Sequence, residues 1–313
     1  MVLSVSTVAP TLRLTTRSAV KAELNLTSAT DDALIDALID QFSAAIVSYC
    51  HRPFARESYS EQLPGFGDIR LQLERTPVVS VSTVTLRGQT ITDFAIEDAD
   101  KGWLIFRALS GTGTTYQRMA WPWGVQTYPG LSGDGAWMNQ GFPMARQEEP
   151  QVAVAYVAGY ILPSQFVTAV TVSVANADSS FNDSASGFPA LLKAGDIVEA
   201  SGCVSAANNS RFLVTGTPTA AKITVSGTLT TEAAGAQITL KFRPPSIHRP
   251  FDDVEKACIE AVKTGYLSRR DDSNIIEKQA GPMRLRYSEG RAGEAQALPP
   301  VCVGLLRNWV RTA

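Results

Sequence analysis

The chain has 313 residues, enough for two domains with cores of ordinary size. Its 28 Lys and Arg against 30 Asp and Glu leave a net charge of −2 with no basic run, which argues against tight DNA binding, because proteins that neutralise phosphates carry a basic stripe. No apolar run reaches membrane-spanning length, and the opening MVLSVSTVAPTLRL lacks the basic and apolar regions of a signal peptide.

Residues 16–25, TRSAVKAELN, predict a short helix with Val20 and Leu24 on one face. Residues 31–50, DDALIDALIDQFSAAIVSYC, predict the dominant helix: Leu34, Ile35, Leu38, Ile39, Phe42, Ile46 and Val47 recur every three or four positions. Asp31, Asp32, Asp36 and Asp40 suit the positive end of its dipole. Thr30 or Ser28 is the expected cap, and Arg52-Pro53 ends the helix. His51 is expected to set a cationic ring against the negative end. The two helices form a hairpin.

Extended structure follows. Residues 68–74 alternate Ile69, Leu71 and Leu73 inward against Arg70, Gln72 and Glu74 outward. Thr76-Pro77 breaks that strand and residues 78–86 resume it. Residues 94–97 and 103–107 flank a polar turn, and residues 151–157 close the set. Between the last two strands, residues 110–150 are rich in glycine and carry Trp121, Trp123 and Trp137. A loop of this length is either an insertion whose tryptophans fold back on the sheet or an interaction loop, whose tryptophans are then candidates for contact with a neighbouring subunit or partner protein.

The character changes at residues 166–242, where Ser, Thr, Ala and Gly dominate. Strands are predicted at 167–174, 196–201, 212–215, 222–225 and 237–242, separated by turn signals, which suggests a small all-β sandwich or barrel. Helix returns at 252–268, opened by Asp252-x-x-Glu255 in capping-box style. A last helix is predicted at 298–311, with Pro299 and Pro300 at its start and a stripe of Val301, Cys302, Leu305, Leu306, Trp309 and Val310. The fold class expected is α+β: a helical domain with a small antiparallel sheet, formed by 1–163 and 244–313, and an inserted β-rich domain at 164–243.

Catalytic chemistry is not legible. His51 and His248 are the only histidines, and each reads as structural. Gly130-Leu131-Ser132-Gly133 misses the G-x-S-x-G spacing, and no Walker A or Rossmann glycine pattern occurs. Asp98, Asp100, Asp178, Asp183 and Asp196 match no EF loop and read as solvated turn residues. Cys50, Cys203, Cys258 and Cys302 are scattered without a C-x-x-C pair, as expected of reduced, buried thiols. The expectation is no catalytic residue, no metal, no cofactor and no enzyme activity.

In order and pattern the chain resembles the head–tail connector (adaptor) proteins of long-tailed bacteriophages. The first piece has the short helix, then the long helix ending in SYCHRPF, then LQLERTPVVSVSTVTLRG, KGWLIF, WPW and VAVAYVAGY. The second piece follows the β-rich insert with VEKACIEAVKTGYLSRRDD, QAGPMRLRYS and LPPVCVGLLRNWVR. The insert itself and the length of the 110–150 loop depart from the family pattern. The insert's KAGDIVEASGCVSAANNSRFLVT is similar to a β module of phage virion proteins.

The resemblance implies a homo-oligomeric, dodecameric ring beneath the portal protein in the virion neck, made in the host cytoplasm and away from any membrane. It would extend the DNA channel and offer a platform to a neck, stopper or tail-completion protein. Double-stranded DNA would pass without specific binding, and a near-neutral chain suits such a conduit. The resemblance places the portal contact in the C-terminal segment, at Leu305, Arg307, Trp309, Val310 and Arg311. Three other readings stay open. One is a different neck or tail-completion protein. Another is a tail-associated polysaccharide-degrading enzyme, which needs paired carboxylates about 5–10 Å apart. The third is a carbohydrate- or surface-binding module in 166–242, although that segment holds phenylalanine but no Trp or Tyr.

Overall fold

The computed structural model describes residues 2–63, 70–86, 89–92, 94–106, 152–244, 251–268, 277–280, 283–286 and 298–310. By internal contacts the chain divides into two units, Met1–Ala9 with Arg56–Gly159, and Pro10–Ala55 with Tyr160–Ala313. The helices thus group with the β-rich segment, whereas the sequence-based boundaries at 163/164 and 243/244 joined them to the first sheet. The architecture is mixed α and β, with antiparallel sheets.

The first unit holds β1 (Val2–Thr7), β2 (Glu57–Leu63), β3 (Arg70–Gln72), β4 (Val78–Leu86), β5 (Gln89–Ile91), β6 (Phe94–Asp98), β7 (Trp103–Phe106) and β8 (Val152–Ala158). Five of them form a sheet in the order β1-β2-β8-β4-β5, and three form a second in the order β3-β7-β6. Val152, Val154 and Tyr156 alternate along the central strand β8. They join Tyr59, Leu71, Leu73, Val84 and Leu104 in one core. Strands β1, β2 and β5 were not expected.

In the second unit, α1 (Arg17–Glu23) starts at Thr16, whose hydroxyl accepts from the Ala19 amide. The long helix α2 (Asp32–Cys50) buries Ile35, Leu38, Ile39, Ser43, Ile46 and Cys50. Its cap differs from expectation. Ser28 and Thr30 bond each other, and Asp31 at the cap position makes no capping bond but accepts from the Tyr266 hydroxyl at 2.5 Å. His51 ends the helix in the left-handed region, at φ 53°. By length and hydropathy α2 would also suit a membrane span. Its aspartates, however, meet a matching basic series. Arg13 pairs with Asp36 and Asp40, Arg17 with Asp32 and Asp36, and Lys21 with Asp32. The aspartates repeat every four residues along α2, one helical turn, while Arg17 and Lys21 stand on α1 and Arg13 on the segment before it.

The β-rich segment contributes β9 (Val167–Ala169), β10 (Val172–Ala175), β11 (Ser180–Asp183), β12 (Ile197–Ser201), β13 (Arg211–Thr215), β14 (Lys222–Val225) and β15 (Ile238–Arg243). Their order is β10-β11-β14-β13-β12-β15-β9. The two ends of that row are consecutive halves of one bent strand, so the ladder closes into a barrel. The Gly235 amide bonds the Val170 carbonyl, and Val174 exchanges bonds with Glu232, across the closure. Val172, Val174, Phe181, Val198, Ile223 and Leu240 are among its buried core. Two acids read as solvated turn residues are interior. Asp183 is buried and accepts from the Thr171 hydroxyl and the Ala185 and Gly187 amides, while buried Asp196 accepts from the Lys193 amide.

After the barrel come α3 (Asp252–Ser268), the hairpin of β16 (Glu277–Ala280) and β17 (Met283–Arg286), and α4 (Pro300–Leu306). The predicted capping box does not form. The Asp252 carboxylate turns to Arg243, and Glu255 makes no side-chain hydrogen bond among the described residues. Helix α4 is shorter than predicted, ending in a turn in which the Trp309 amide bonds the Leu306 carbonyl. Helix α3 packs on α2, where the Cys258 thiol meets the Ser43 hydroxyl, and on α4, where the Cys302 thiol donates to the Ala257 carbonyl.

The barrel is most constrained at Gly202. It adopts φ +83°, and a Cβ there would lie 2.3 Å from the Gln237 carbonyl oxygen. Gly202→Ala is expected to lower stability by about 2–4 kcal/mol, through the left-handed backbone and the overlap together. Denaturant unfolding of the two proteins checks this; equal midpoints would contradict it.

Candidate functional site

The C-terminal segment, α4 and the turn after it, divides into an inward and an outward side. Cys302, Leu306 and Trp309 point inward at i, i+4 and i+7, while Val301 is 64% exposed, Arg307 is exposed, and Leu305 and Val310 are half-buried. Trp309 therefore does not present itself to a partner from this chain, contrary to the expectation for the portal contact. It is 2% exposed and sits among Phe54 at 5.8 Å, Tyr160 at 5.8 Å and Phe251 at 6.4 Å between ring centroids, with all three contacts edge-to-face. The Arg52 guanidinium lies 5.5 Å from the Phe54 ring and 5.7 Å from the Trp309 ring, within cation–π range. Arg311, Trp121, Trp123 and Trp137 lie outside the described residues.

The first unit holds a set of buried acids that the sequence reading missed. Along β2 the inward positions are Glu57, Tyr59, Glu61 and Leu63. Glu57 accepts from the Tyr59 hydroxyl at 2.9 Å and the Ala9 amide at 3.0 Å. Glu61 is fully buried and accepts from the Tyr156 hydroxyl at 2.6 Å and the Glu74 amide at 3.1 Å. The Tyr156 hydroxyl in turn accepts from the Arg75 amide. Burial raises the Glu61 carboxyl above its ordinary value, against the pull of these donors, and raises both tyrosines as well. Each acid is thus occupied by neighbours in the fold, the pattern of a satisfied interior network.

Other reactive groups are similarly enclosed. All four cysteines are free and buried. Burial pushes the Cys258 thiol up to about 12 and those of Cys50 and Cys302 to about 11, which keeps them protonated and unreactive. Among the described residues no three His, Cys, Asp or Glu side chains are placed to hold a metal ion.

A cavity of about 410 Å³ lies in the second unit, between the outer face of the barrel and the helices. One wall is β9 and β15, presenting Thr168, Thr239, Lys241 and Arg243. The opposite wall is the start of α1, with Thr16 and Ser18, and the first turn of α3, with Asp252 and Glu255. Tyr160 and Phe251, 5.3 Å apart, and Phe166 and Phe242, 6.4 Å apart, supply aromatic surface. No sequence motif marks it, because its residues come from four separate stretches. No protein-family model matches the chain, and no curated protein matches it in sequence.

Two outcomes follow from these environments. Trp309→Ala should cost about 3–5 kcal/mol of stability, the scale for removing a buried aromatic ring; a thermal melt shifted by less than a degree would refute the interior role. For Glu61, the folded pKa lies above the unfolded value, so its contribution is fully present below about pH 4.3 and is lost as pH rises through the raised folded value. Stability measured against pH should therefore fall over that window in the natural protein and stay flatter in Glu61→Gln. Parallel profiles would contradict the assignment.

Proposed function

We propose that this chain is a structural assembly protein of a tailed-bacteriophage virion, a head–tail connector that forms a ring beneath the portal and carries the next neck or tail component. One observation supports the reading most. The two stretches that carry the family resemblance are separated by the barrel, yet α1 and α2 from the first pack with α3 and α4 from the second. Lys263 reaches Glu23 at 3.0 Å, Ser43 meets Cys258, and Cys302 bonds Ala257. In this reading the barrel is an insertion into a helical body, and the DNA passes a near-neutral chain without being gripped.

The portal contact falls to the outward face of α4, at Val301, Leu305 and Arg307, with Val310 at its margin and Trp309 as its internal anchor. Purified protein mixed with the portal of the same virus should give a ring-sized mass and a stable complex. The double variant Val301→Glu, Arg307→Glu should weaken that complex by about ten-fold or more while its melting stays unchanged. A chain that stays monomeric beside portal, or a double variant that binds as well as the natural protein, would overturn the proposal.

A further inference from the structure

We propose that the cavity between the barrel and the helices is a binding site for a small zwitterion with an apolar body, in chemical class a free α-amino acid such as leucine or phenylalanine. The inference stands on the cavity itself and does not depend on the connector reading.

The charges around the cavity sort into those already engaged and those that are not. Arg243 is engaged, with Nε 3.0 Å from Glu199 and Nη1 2.8 Å from Asp252. That leaves Lys241 on the barrel wall and Glu255 on the helix wall. Neither makes an ion pair or a side-chain hydrogen bond among the described residues. The two are close enough to feel each other: burial and Asp252 raise the Glu255 carboxyl, while Lys241 and Arg243 oppose the rise. Opposite charges thus face one cavity from two walls, unbridged.

A half-buried carboxylate without a donor is an unfavourable arrangement that an ammonium group would relieve. The ammonium of an amino acid fits Glu255 and its carboxylate fits Lys241, and both charges sit on one carbon. The apolar side chain then lies against Phe166, which is half-buried, and the small exposed parts of Tyr160, Phe251 and Phe242. Thr16 and Ser18 add hydroxyls that donate or accept. The volume falls within the usual range for small-molecule sites, about 300–1,000 Å³.

The test titrates the full chain with L-leucine and L-phenylalanine by calorimetry or NMR shift mapping. Saturable binding is expected with Kd of about 1 mM, the scale for a ligand of this size. Leucine amide, which keeps only the ammonium, and 4-methylpentanoate, which keeps only the carboxylate, should each bind about ten-fold more weakly. Glu255→Gln and Lys241→Gln should each produce a similar loss, with melting unchanged. Absence of saturable binding, analogues that bind as well as leucine, or variants that bind as well as the natural chain would each overturn the proposal. Should a variant melt early, the analogue series on the natural protein decides alone.

Discussion

Four aromatic side chains hold the second unit together: Phe54, Tyr160, Phe251 and Trp309. Each stands where the chain enters or leaves something. Phe54 follows α2, just before the chain departs into the first unit at Arg56, and Tyr160 is where it returns. Phe251 stands at the start of α3, after the barrel, and Trp309 follows α4. The stem of the first excursion is closed directly, the Tyr160 amide donating to the Phe54 carbonyl at 2.7 Å. Edge-to-face pairs of this kind contribute about 0.5–1.5 kcal/mol each beyond their area. The larger effect is geometric, because closed stems let long excursions leave the helical body without disturbing its packing.

Around that junction the helices are aligned by chemistry of two kinds. On the outside, Arg13, Arg17 and Lys21 pair with Asp32, Asp36 and Asp40. Such part-exposed pairs contribute little individually, but Arg17 and Lys21 on Asp32 and Asp36 favour one register of α1 on α2, and Arg13 ties the segment before α1 to Asp36 and Asp40. On the inside, contact is close: a Cβ on Gly265 of α3 would meet the Phe42 ring of α2 at 2.7 Å, so that ring would have to shift. The tyrosine-bound acids of the first unit follow the same logic. A carboxylate is tolerated indoors only when donors surround it, and Glu61 has both a hydroxyl and an amide.

What the sequence made legible tracks how apolar the inward face is. Helix α2 and strands β4 and β8 were readable because most of their buried positions are Ile, Leu, Val or Tyr at a fixed period, and α3 because Val254, Ala257, Cys258, Ala261 and Val262 keep helical spacing even with small side chains. Strand β2 was not, because its inward face is Glu57, Tyr59, Glu61 and Leu63, a pattern that hydrophobic alternation cannot detect. Strand β11 was missed for a related reason: SFND carries one large apolar residue, and its buried ends are Ser180 and Asp183. The stripe ending at Trp309 was correctly seen as apolar, but its burial depended on Phe54, Tyr160 and Phe251 converging from distant positions. The capping box failed on the same ground, since nothing local reveals that Arg243 draws Asp252 away. The cavity was invisible in principle, because its walls meet only after folding.

The insertion of long excursions between partner helices has a consequence for synthesis. Ser43 and Cys258, which touch in the helical core, are 215 residues apart. At ribosomal rates of about 5–20 residues per second, α2 emerges about 10–40 s before the helix that covers it. During that interval its stripe of Ile35, Leu38, Ile39 and Ile46 has no α3 to bury against, and α1 alone is at hand. The barrel, by contrast, is complete in sequence before α3 appears and can close on the ribosome. The helical core is therefore the last part of the nascent chain to be completed, although α1 and α2 precede most of the first sheet and all of the barrel.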